Sequence, residues 1–302
     1  MAKPSPIDNL DADTPLDEAA RRALAARLSD VRGWEEPVAY RRDADAVHDM
    51  RVATRRLRAA IALFDDGSPA VEEAEVEVRR LGDALGHVRD RDVQIEWLQG
   101  VLGGSVGAPE RVGIEQLLEE RRQELPAHEQ ALQQVLGRWR SEVAPRLEQA
   151  FAAVVGDGRL GGGGPRKHLR RRLRTVDERI NYVLISADPH TAHKLRIGVK
   201  KLRYDAELLE PAFGEVTGAL LQALQPLQET LGDLHDRDVR LPLIERFLVR
   251  CPSAAQPGAI FLLAADLNDR DRLAAELTVD LRHWQLEGRG KRLRQSLRRG
   301  AQ

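Results

Sequence analysis

The chain has 302 residues and a formal net charge of -1, from 47 Lys and Arg residues and 48 Asp and Glu residues. This near-neutral total argues against a generic polyanion-binding protein, because such proteins are usually strongly basic. Hydrophobic residues make up 42% of the chain and charged residues 31%, which favours a packed core over disorder. Ala, Leu, Arg, Glu and Gln dominate, and these residue types favour helices.

Cysteine usage and hydropathy limit the class of protein further. The single cysteine, Cys251, excludes an internal disulfide bond and a cysteine-rich metal site. Residues 1–17 are polar and lack the apolar core of a signal peptide, and no stretch approaches about 18 uncharged apolar residues. We therefore expect a cytoplasmic protein that does not span a membrane, and we predict no catalytic residue, cofactor or bound metal.

In chain order, the pattern begins with a polar segment, residues 1–15, which we predict to be a flexible tail. From Leu16 onwards apolar residues recur every three or four positions, whereas no segment alternates with the period of a strand. Turn-forming residues interrupt the helical pattern at 33–37, 65–69, 100–109, 156–165, 188–189, 211–214 and 251–258. The pattern predicts an all-α protein with about eight substantial helices.

A glycine run, Gly161 to Gly164, lies almost at the middle of the chain. No Lys-Ser or Lys-Thr pair follows it, so it does not match a phosphate-binding loop and is more typical of a flexible linker. This linker, residues 156–165, divides the chain into a first half of about 16–155 and a second half of about 166–299.

The two halves repeat each other. The segment His48-x-x-Arg51-x-x-x-Arg55-Arg56-Leu57-Arg58 recurs 145 residues later as His193-x-x-Arg196-x-x-x-Lys200-Lys201-Leu202-Arg203. A second segment, Leu85-Gly86-x-x-x-Asp90, recurs 146 residues later as Leu231-Gly232-x-x-x-Asp236. The repetition predicts an internal duplication whose halves pack about a pseudo-twofold axis.

The first repeated segment predicts a helix with two distinct faces, capped by Asp43 in the first half and by Asp188 before Pro189 in the second. At about 100° per residue, one stripe holds the basic side chains His48, Arg51, Arg55 and Arg58. A separate apolar face holds Met50, Leu57, Ile61 and Phe64. The second copy reproduces the basic stripe with His193, Arg196, Lys200 and Arg203.

Basic stripes are often ordinary solvated faces, but such faces normally mix charges of both signs. Residues 193–203 contain five Lys and Arg residues without a single Asp or Glu, and the pattern occurs twice. Arg donates paired hydrogen bonds to phosphate groups, and Lys acts as a compact positive charge. Each stripe extends for roughly 15 Å, which suits an extended polyanion better than one phosphate ester.

The second repeated segment is less specific. Gly86 and Gly232 indicate close packing, because glycine within a helix costs about 1 kcal/mol and needs a structural reason. Asp90 and Asp236 are candidates to hold basic side chains in position, or they form surface ion pairs of little energy.

The two repeated segments together resemble the CHAD family, the conserved histidine α-helical domain, over about residues 16–299. The resemblance implies two four-helix bundles related by a pseudo-twofold axis, with the basic stripes facing a shared central groove or pore. It also implies binding of inorganic polyphosphate and association with polyphosphate granules. The triphosphate-tunnel domain often fused to this family is not expected here, because no Glu-x-Glu-x-Lys strand occurs.

The resemblance implies a set of polyphosphate contacts: His48, Arg51, Arg55, Arg56, Arg58, His193, Arg196, Lys200, Lys201 and Arg203. One departure is Asp49, an acid within the first basic segment, which falls off the stripe on the helical wheel. Two further basic runs, residues 166–174 and 291–299, are either rim contacts or solvated surface, and Arg170 and Arg174 are the rim candidates.

Three other functions compete with polyphosphate binding. The His48-Asp49 and His235-Asp236 pairs resemble ligands of metal-dependent phosphohydrolases, but neither pair is preserved between the halves. A sequence-independent RNA- or DNA-binding protein is the stronger rival, although single-strand binders usually add aromatic residues and only Tyr204 lies beside a stripe. A structural scaffold that binds protein partners is the third.

The near-neutral total charge conceals an uneven distribution. The acidic residues concentrate in segments such as 71–77 and 115–129, and the basic residues in the repeated stripes. The pattern therefore predicts an acidic exterior around a basic groove, which would limit indiscriminate binding of nucleic acid. It predicts no oligomeric state.

Overall fold

The computed structural model describes residues 3–40, 43–186 and 188–299, and in these ranges regular structure is helical. The first half contains six helices within those ranges: α1 (Leu16–Arg32), α2 (Glu35–Tyr40), α3 (Ala44–Leu63), α4 (Pro69–Leu102), α5 (Ala108–Arg138) and α6 (Ala144–Ala152). The described part of the second half contains α7 (Gly163–Ser186), α8 (Pro189–Leu208), α9 (Glu210–Arg250), α10 (Gln256–Leu286) and α11 (Arg289–Arg299). The predicted all-α class is confirmed.

Local sequence signals explain where the two central helices begin. The Asp43 carboxylate accepts a hydrogen bond from the Asp45 backbone N–H at 2.9 Å, which caps α3. The Asp188 carboxylate accepts one from the His190 backbone N–H at 3.2 Å, and Pro189 is the first residue of α8. Both predicted N-caps are confirmed, and each satisfies an amide that has no partner within its helix.

Two helices depart from regular geometry. Gly214 has a φ of +38° within α9, so the chain kinks there, which glycine permits at little steric cost. A π-helical turn, Trp139–Val143, joins α5 to α6, and the Trp139 indole N–H donates to Glu35 at 2.9 Å. A positive-φ glycine and a π-helical turn are both recognised causes of a change in helix direction.

Each half packs its helices in the same succession. In the first half α3 lies between α1 and α4, and α5 lies against α4. In the second half α8 lies between α7 and α9, and α10 lies against α9. Contacts of α3 with α8 and of α5 with α10 join the halves, so the two helices that carry the basic stripes are neighbours.

Equivalent core positions also recur between the halves. Leu24, Leu28 and Val31 of α1 are buried, and so are Leu169, Leu173 and Val176 of α7, which lie 145 residues later. The same spacing separates Leu57 of α3 from Leu202 of α8, both fully buried. This correspondence agrees with an internal duplication about a pseudo-twofold axis, which stays a prediction.

The hydrophobic core has two parts. The larger part includes Met50, Leu57 and Ile61 of α3 and Leu195 and Leu202 of α8, so the predicted apolar faces are the buried ones. The smaller part lies where α4, α5, α9 and α10 meet and includes the residues Leu98, Ile114, Leu117, Ile244, Phe247 and Leu262. Full burial of each large apolar side chain stabilises the fold by about 1.5–3 kcal/mol.

The segment predicted to be a flexible tail makes defined contacts with the linker. The Leu160 backbone N–H donates to the Thr14 carbonyl, and the Gly161 N–H donates to the Ala12 carbonyl, both at 2.9 Å. The linker also ends earlier than predicted, since α7 begins at Gly163. The sequence missed this pairing because neither segment has strand or helix periodicity.

Across the described ranges, no helix combines the length and the apolar character needed to cross a membrane.

Candidate functional site

The contact between α3 and α8 brings basic side chains from both halves together. We call Arg51, Arg55, Arg196 and Lys200 the central cluster. Arg55 acts electrostatically on both Arg196 and Lys200, and Arg51 also acts on Lys200, so the two stripes face each other. A cavity of about 410 Å³ lies beside the cluster and is lined by Arg55, Arg196 and Lys200. We call it the central cavity.

Burial and mutual repulsion perturb these cations strongly. Burial, followed by repulsion from Arg196, Arg55 and Arg51, lowers the pKa of Lys200 to about 7. Burial and the neighbouring Arg55 lower the pKa of Arg51 to about 10. The pKa of Arg196 is lowered for the same two reasons. Like charges packed this closely destabilise the fold unless an anion joins them.

The central cluster lacks close acidic partners among the residues that the structure describes. Its members take no part in the side-chain ion pairs and hydrogen bonds found there, and the Arg196 Nε is buried without a hydrogen-bond partner. Asp90 partly offsets the positive charge of Arg51, and Asp236 partly offsets the charges of Arg196 and Lys200. Neither carboxylate lies within ion-pair distance of these cations.

The other arginines of the two repeated segments form ion pairs. Arg58 donates to Glu75 of α4 at 2.7 Å, although it also lines the central cavity. Arg203 donates to Glu207 at 2.8 Å and to the Gln228 side chain at 2.7 Å. The structure therefore divides each predicted stripe into members that face other cations and members held by acids or amides.

Arg56 and Lys201 occupy different surroundings. Arg56 is only 8% exposed, and its Nε lies 3.4 Å from Glu207, so Arg56 links α3 to α8 on a side away from the central cavity. Lys201 lines that cavity, where partial burial and nearby Arg172 lower its pKa.

The repeated histidines are half-buried. His193 stacks on His235 with ring centroids 4.8 Å apart, and their Nδ1 atoms lie 3.2 Å apart, so one ring donates to the other. Burial and the adjacent cations lower the pKa of His235 to about 3, and burial is also the main cause of the lowered pKa of His193 and His48. All three rings are therefore mainly neutral at pH 7, and a neutral ring has one N–H, so the ring that donates across the His193–His235 contact has none left for a ligand.

The Leu-Gly-x-x-x-Asp segments lie next to Arg51 in the first half and near Arg196 in the second. A Cβ on Gly86 would lie 3.5 Å from the Arg51 Nε and Nη2 atoms, so the guanidinium group of Arg51 rests on this glycine. The predicted close packing thus occurs at Gly86, against a side chain, whereas Gly232 faces open space. Asp90 is exposed, and Asp236 is half-buried with a pKa raised by burial.

The two predicted rim residues lie elsewhere. Arg170 and Arg174 line a separate cavity of about 560 Å³ between α7 and α11, and the structure does not bring them into the central cavity. We call this second space the α7–α11 cavity.

Sequence reasoning did not assign His235 and Arg89 to the site. In the first half, Arg89 lies near enough to lower the pKa of His48. In the second half, His235 likewise lies beside the repeated histidine, His193, and contacts it. The two residues occupy equivalent positions, 146 residues apart, in the second repeated segment. This recurrence of a nitrogen-bearing side chain was the available signal. In the described ranges, no three His, Cys, Asp or Glu side chains are grouped to hold a metal ion.

Comparison with solved structures identifies similar folds. The crystal structure of the CHAD domain from the plant Ricinus communis is 25% identical and superposes with a TM-score of 0.74, covering 93% of this chain and 96% of that one. PptA from Streptomyces chartreusis superposes with a TM-score of 0.65 at 15% identity, covering 89% of this chain and 100% of that one, which indicates a shared fold alone.

Comparison with curated sequences finds relatives in Mycobacterium tuberculosis. The "Uncharacterized protein Rv2226" is 28% identical over 297 residues, and the "Uncharacterized protein MT2285" of a second strain is 27% identical over the same length. These matches cover 91% of this chain but only 55% of each relative, so the chain spans about half their length.

The family model described as "CHAD domain" matches residues 22–245, which include both repeated segments and the central cluster. The chain therefore belongs to the CHAD domain family.

Proposed function

We propose that the protein binds inorganic polyphosphate, without cleaving it, at the central cluster between α3 and α8. The observation that carries the proposal is the meeting of four cations from both halves without a close acidic partner among the described residues. Bound phosphate oxygens would accept hydrogen bonds from the three guanidinium groups and from the Lys200 ammonium group. They would also relieve the repulsion between these groups.

The arrangement suits a linear polymer. Arg51 and Arg55 lie one turn apart on α3, and Arg196 and Lys200 lie one turn apart on α8, so each pair spans about 6 Å along its helix. Phosphate groups that repeat along a chain can therefore meet successive cations on both sides. A neutral His48 would add one further hydrogen bond, and His193 would add one through Nε2 when His235 is the donor between the two rings. Binding at polyphosphate granules in the cytoplasm extends the same proposal.

Direct binding tests the proposal. Labelled long-chain polyphosphate is titrated against the wild type and an Arg55→Ala/Lys200→Ala variant by fluorescence anisotropy, with phosphate release followed in parallel. We expect at least a hundredfold loss of affinity, because two charge-assisted contacts of about 1.5–3 kcal/mol each disappear. The matched control is Arg122→Ala/Arg282→Ala, which removes two exposed arginines outside the central cavity. Equal losses in both variants would refute the site, and phosphate release would refute binding without cleavage.

Competition distinguishes polyphosphate from nucleic acid, which is the rival ligand. Among the described residues that line the central cavity, Tyr204 is the one aromatic, and the Arg203 guanidinium lies 5.4 Å from its ring centroid. The site thus offers charge but little surface for stacking bases. We expect single-stranded RNA and DNA of equal charge to displace the label poorly, and stronger displacement by RNA than by polyphosphate would overturn the proposal.

A further inference from the structure

A second strongly basic cavity lies outside the central cluster. The α7–α11 cavity has a volume of about 560 Å³, within the range of about 300–1,000 Å³ typical of small-molecule sites. Seven nitrogen-bearing side chains line it: Lys167, His168, Arg170, Arg171, Arg174, Arg294 and Arg298. No Asp or Glu of the described chain is among the lining residues, although the His168 Nε2 lies 2.8 Å from the Asp205 carboxylate, which lines the central cavity.

The basic side chains that line the α7–α11 cavity come from two helices, α7 and α11. Lys167, Arg170, Arg171 and Arg174 follow the spacing of a single face of α7, and Arg294 and Arg298 lie one turn apart on α11, which packs against α7. Like charges at such spacings destabilise isolated helices. The arrangement is therefore unfavourable for stability alone.

The walls of the cavity strengthen its attraction for anions. Leu16, Leu63, Phe64 and Pro165 supply an apolar surface, near which charges are less screened than in water. Gly164 and Pro165 belong to the first turn of α7, so the positive end of that helix also faces the cavity. Burial and repulsion from Arg174 and Arg298 lower the pKa of Arg294, although Arg294 also pairs with Asp177.

The second half alone carries this feature. The positions that lie 145 residues before Lys167, Arg170, Arg171 and Arg174 are Arg22, Ala25, Ala26 and Ser29. The stripe is therefore absent from α1, whose buried residues otherwise correspond to those of α7. Because only the second half has this basic stripe, neither the internal repeat nor the shared packing of α1 and α7 accounts for it.

We propose that the α7–α11 cavity is a second anion site, which binds a small molecule bearing several phosphate groups. It acts separately from the central cluster and does not depend on the function proposed for that cluster. The volume exceeds what one phosphate group fills, and the five Lys and Arg side chains other than Arg294, which pairs with Asp177, can neutralise several negative charges. An inorganic oligophosphate and a phosphate ester share this chemistry.

Calorimetric titration of the full chain with tripolyphosphate tests the site. The first variant, Lys167→Ala/Arg171→Ala/Arg298→Ala, removes three exposed residues of the α7–α11 cavity. The matched control, Arg122→Ala/Arg246→Ala/Arg282→Ala, removes the same charge from exposed positions outside both cavities. We expect the first variant to lose one class of tripolyphosphate site, with affinity reduced at least tenfold, and the control to keep it.

A second comparison separates this site from the central cluster. Arg55→Ala/Lys200→Ala should leave the α7–α11 site intact even if the function proposed for the central cluster fails. Titration with ATP identifies the source of the phosphate groups: tighter binding than tripolyphosphate indicates an ester that uses the apolar wall, and weaker binding indicates an inorganic oligophosphate. Unchanged binding by the cavity variant, or loss of all binding by the central variant, would overturn the proposal.

Discussion

Lys200 is a side chain whose positive charge is disfavoured by its surroundings in the folded protein. Its amine lies among Arg51, Arg55 and Arg196, faces Asp236 of α9, and has a pKa of about 7 in place of the ordinary 10.5. This lysine therefore titrates near neutral pH in the absence of ligand, well below its ordinary range. A bound anion would raise the pKa again, so that binding and proton uptake are coupled at this residue.

Replacing Lys200 should stabilise the protein in the absence of ligand. Because the folded pKa lies below the unfolded one, the folded state binds fewer protons between pH 7 and about 10, and wild-type stability rises with pH through that window. We expect Lys200→Met to be more stable than the wild type by about 1–2 kcal/mol at pH 6, after allowance for solvent screening. The difference should shrink by pH 10.

Urea unfolding at pH 6, 8 and 10 measures this effect. Lys194→Met, on the same helix but exposed, serves as the control. A gain in stability that does not change with pH would show that the added apolar surface, and not the removed charge, is responsible.

Polyphosphate affinity should fall as pH rises above 7. The unbound Lys200 loses its proton there, whereas the lowered pKa values keep His193 and His235 neutral throughout. We expect affinity to fall about tenfold between pH 7 and pH 9, and Lys200→Arg to abolish the trend because guanidinium stays charged. Calorimetry in two buffers of different ionisation enthalpy detects the proton uptake, and an unchanged trend in Lys200→Arg would contradict its assignment to this lysine.

At the scale of the element, α3 carries arginines of two kinds on one face. Arg55 meets the cations of α8, whereas Arg58, almost one turn further along, is held by Glu75 of α4. Glu75 also pairs with Arg79 of its own helix. The long-range partner of each arginine, and not its place on the helical wheel, therefore determines how much charge it offers to a ligand.

The two arginines should differ in their effect on binding. We expect Arg55→Ala to weaken polyphosphate binding about tenfold or more, and Arg58→Ala by less than about threefold, because Arg58 must leave Glu75 before it can bind phosphate. Anisotropy titrations of both variants at one salt concentration compare them. Glu75→Gln should in turn strengthen binding by freeing Arg58, and a weakened affinity in that variant would show that Glu75 positions Arg58 for the ligand.

At the scale of the whole molecule, charge placement matters more than net charge. The total of -1 conceals cations gathered in two cavities, between α3 and α8 and between α7 and α11. Many remaining arginines pair with acids, such as Arg138 with Glu77 and Arg250 with Glu120. Paired charges contribute little to the attraction of a distant polyanion in salt, because their fields cancel and are screened.

The salt dependence of polyphosphate affinity should therefore reflect the number of phosphate contacts made by the central cluster. With four phosphate contacts and a logarithmic slope of roughly 0.7 per contact, raising the salt concentration from about 50 to 200 mM should lower affinity about 50-fold. Arg55→Ala/Lys200→Ala should roughly halve the slope, whereas Arg122→Ala/Arg282→Ala should keep it. Equal slopes in the two variants would indicate that overall charge, and not the central cluster, drives binding.

Local sequence patterns predicted the helical class, the caps of α3 and α8, and the division of each repeated helix into an apolar and a basic face. These features depend on residues within a few turns of one another, so periodicity is sufficient to predict them. The same reasoning placed Arg51, Arg55 and Arg58 on one stripe and treated them alike.

The packing of the helices determines which of these charges face one another and which are paired. Glu75 and Glu207 reach the predicted contacts Arg58 and Arg56 from other helices, and His235 reaches His193 from α9. Arg170 and Arg174 lie in a cavity completed by α11, far along the chain from α7. Helical periodicity specifies the face on which a side chain lies but not the helix that packs against it, because that contact depends on how all the apolar faces pack together.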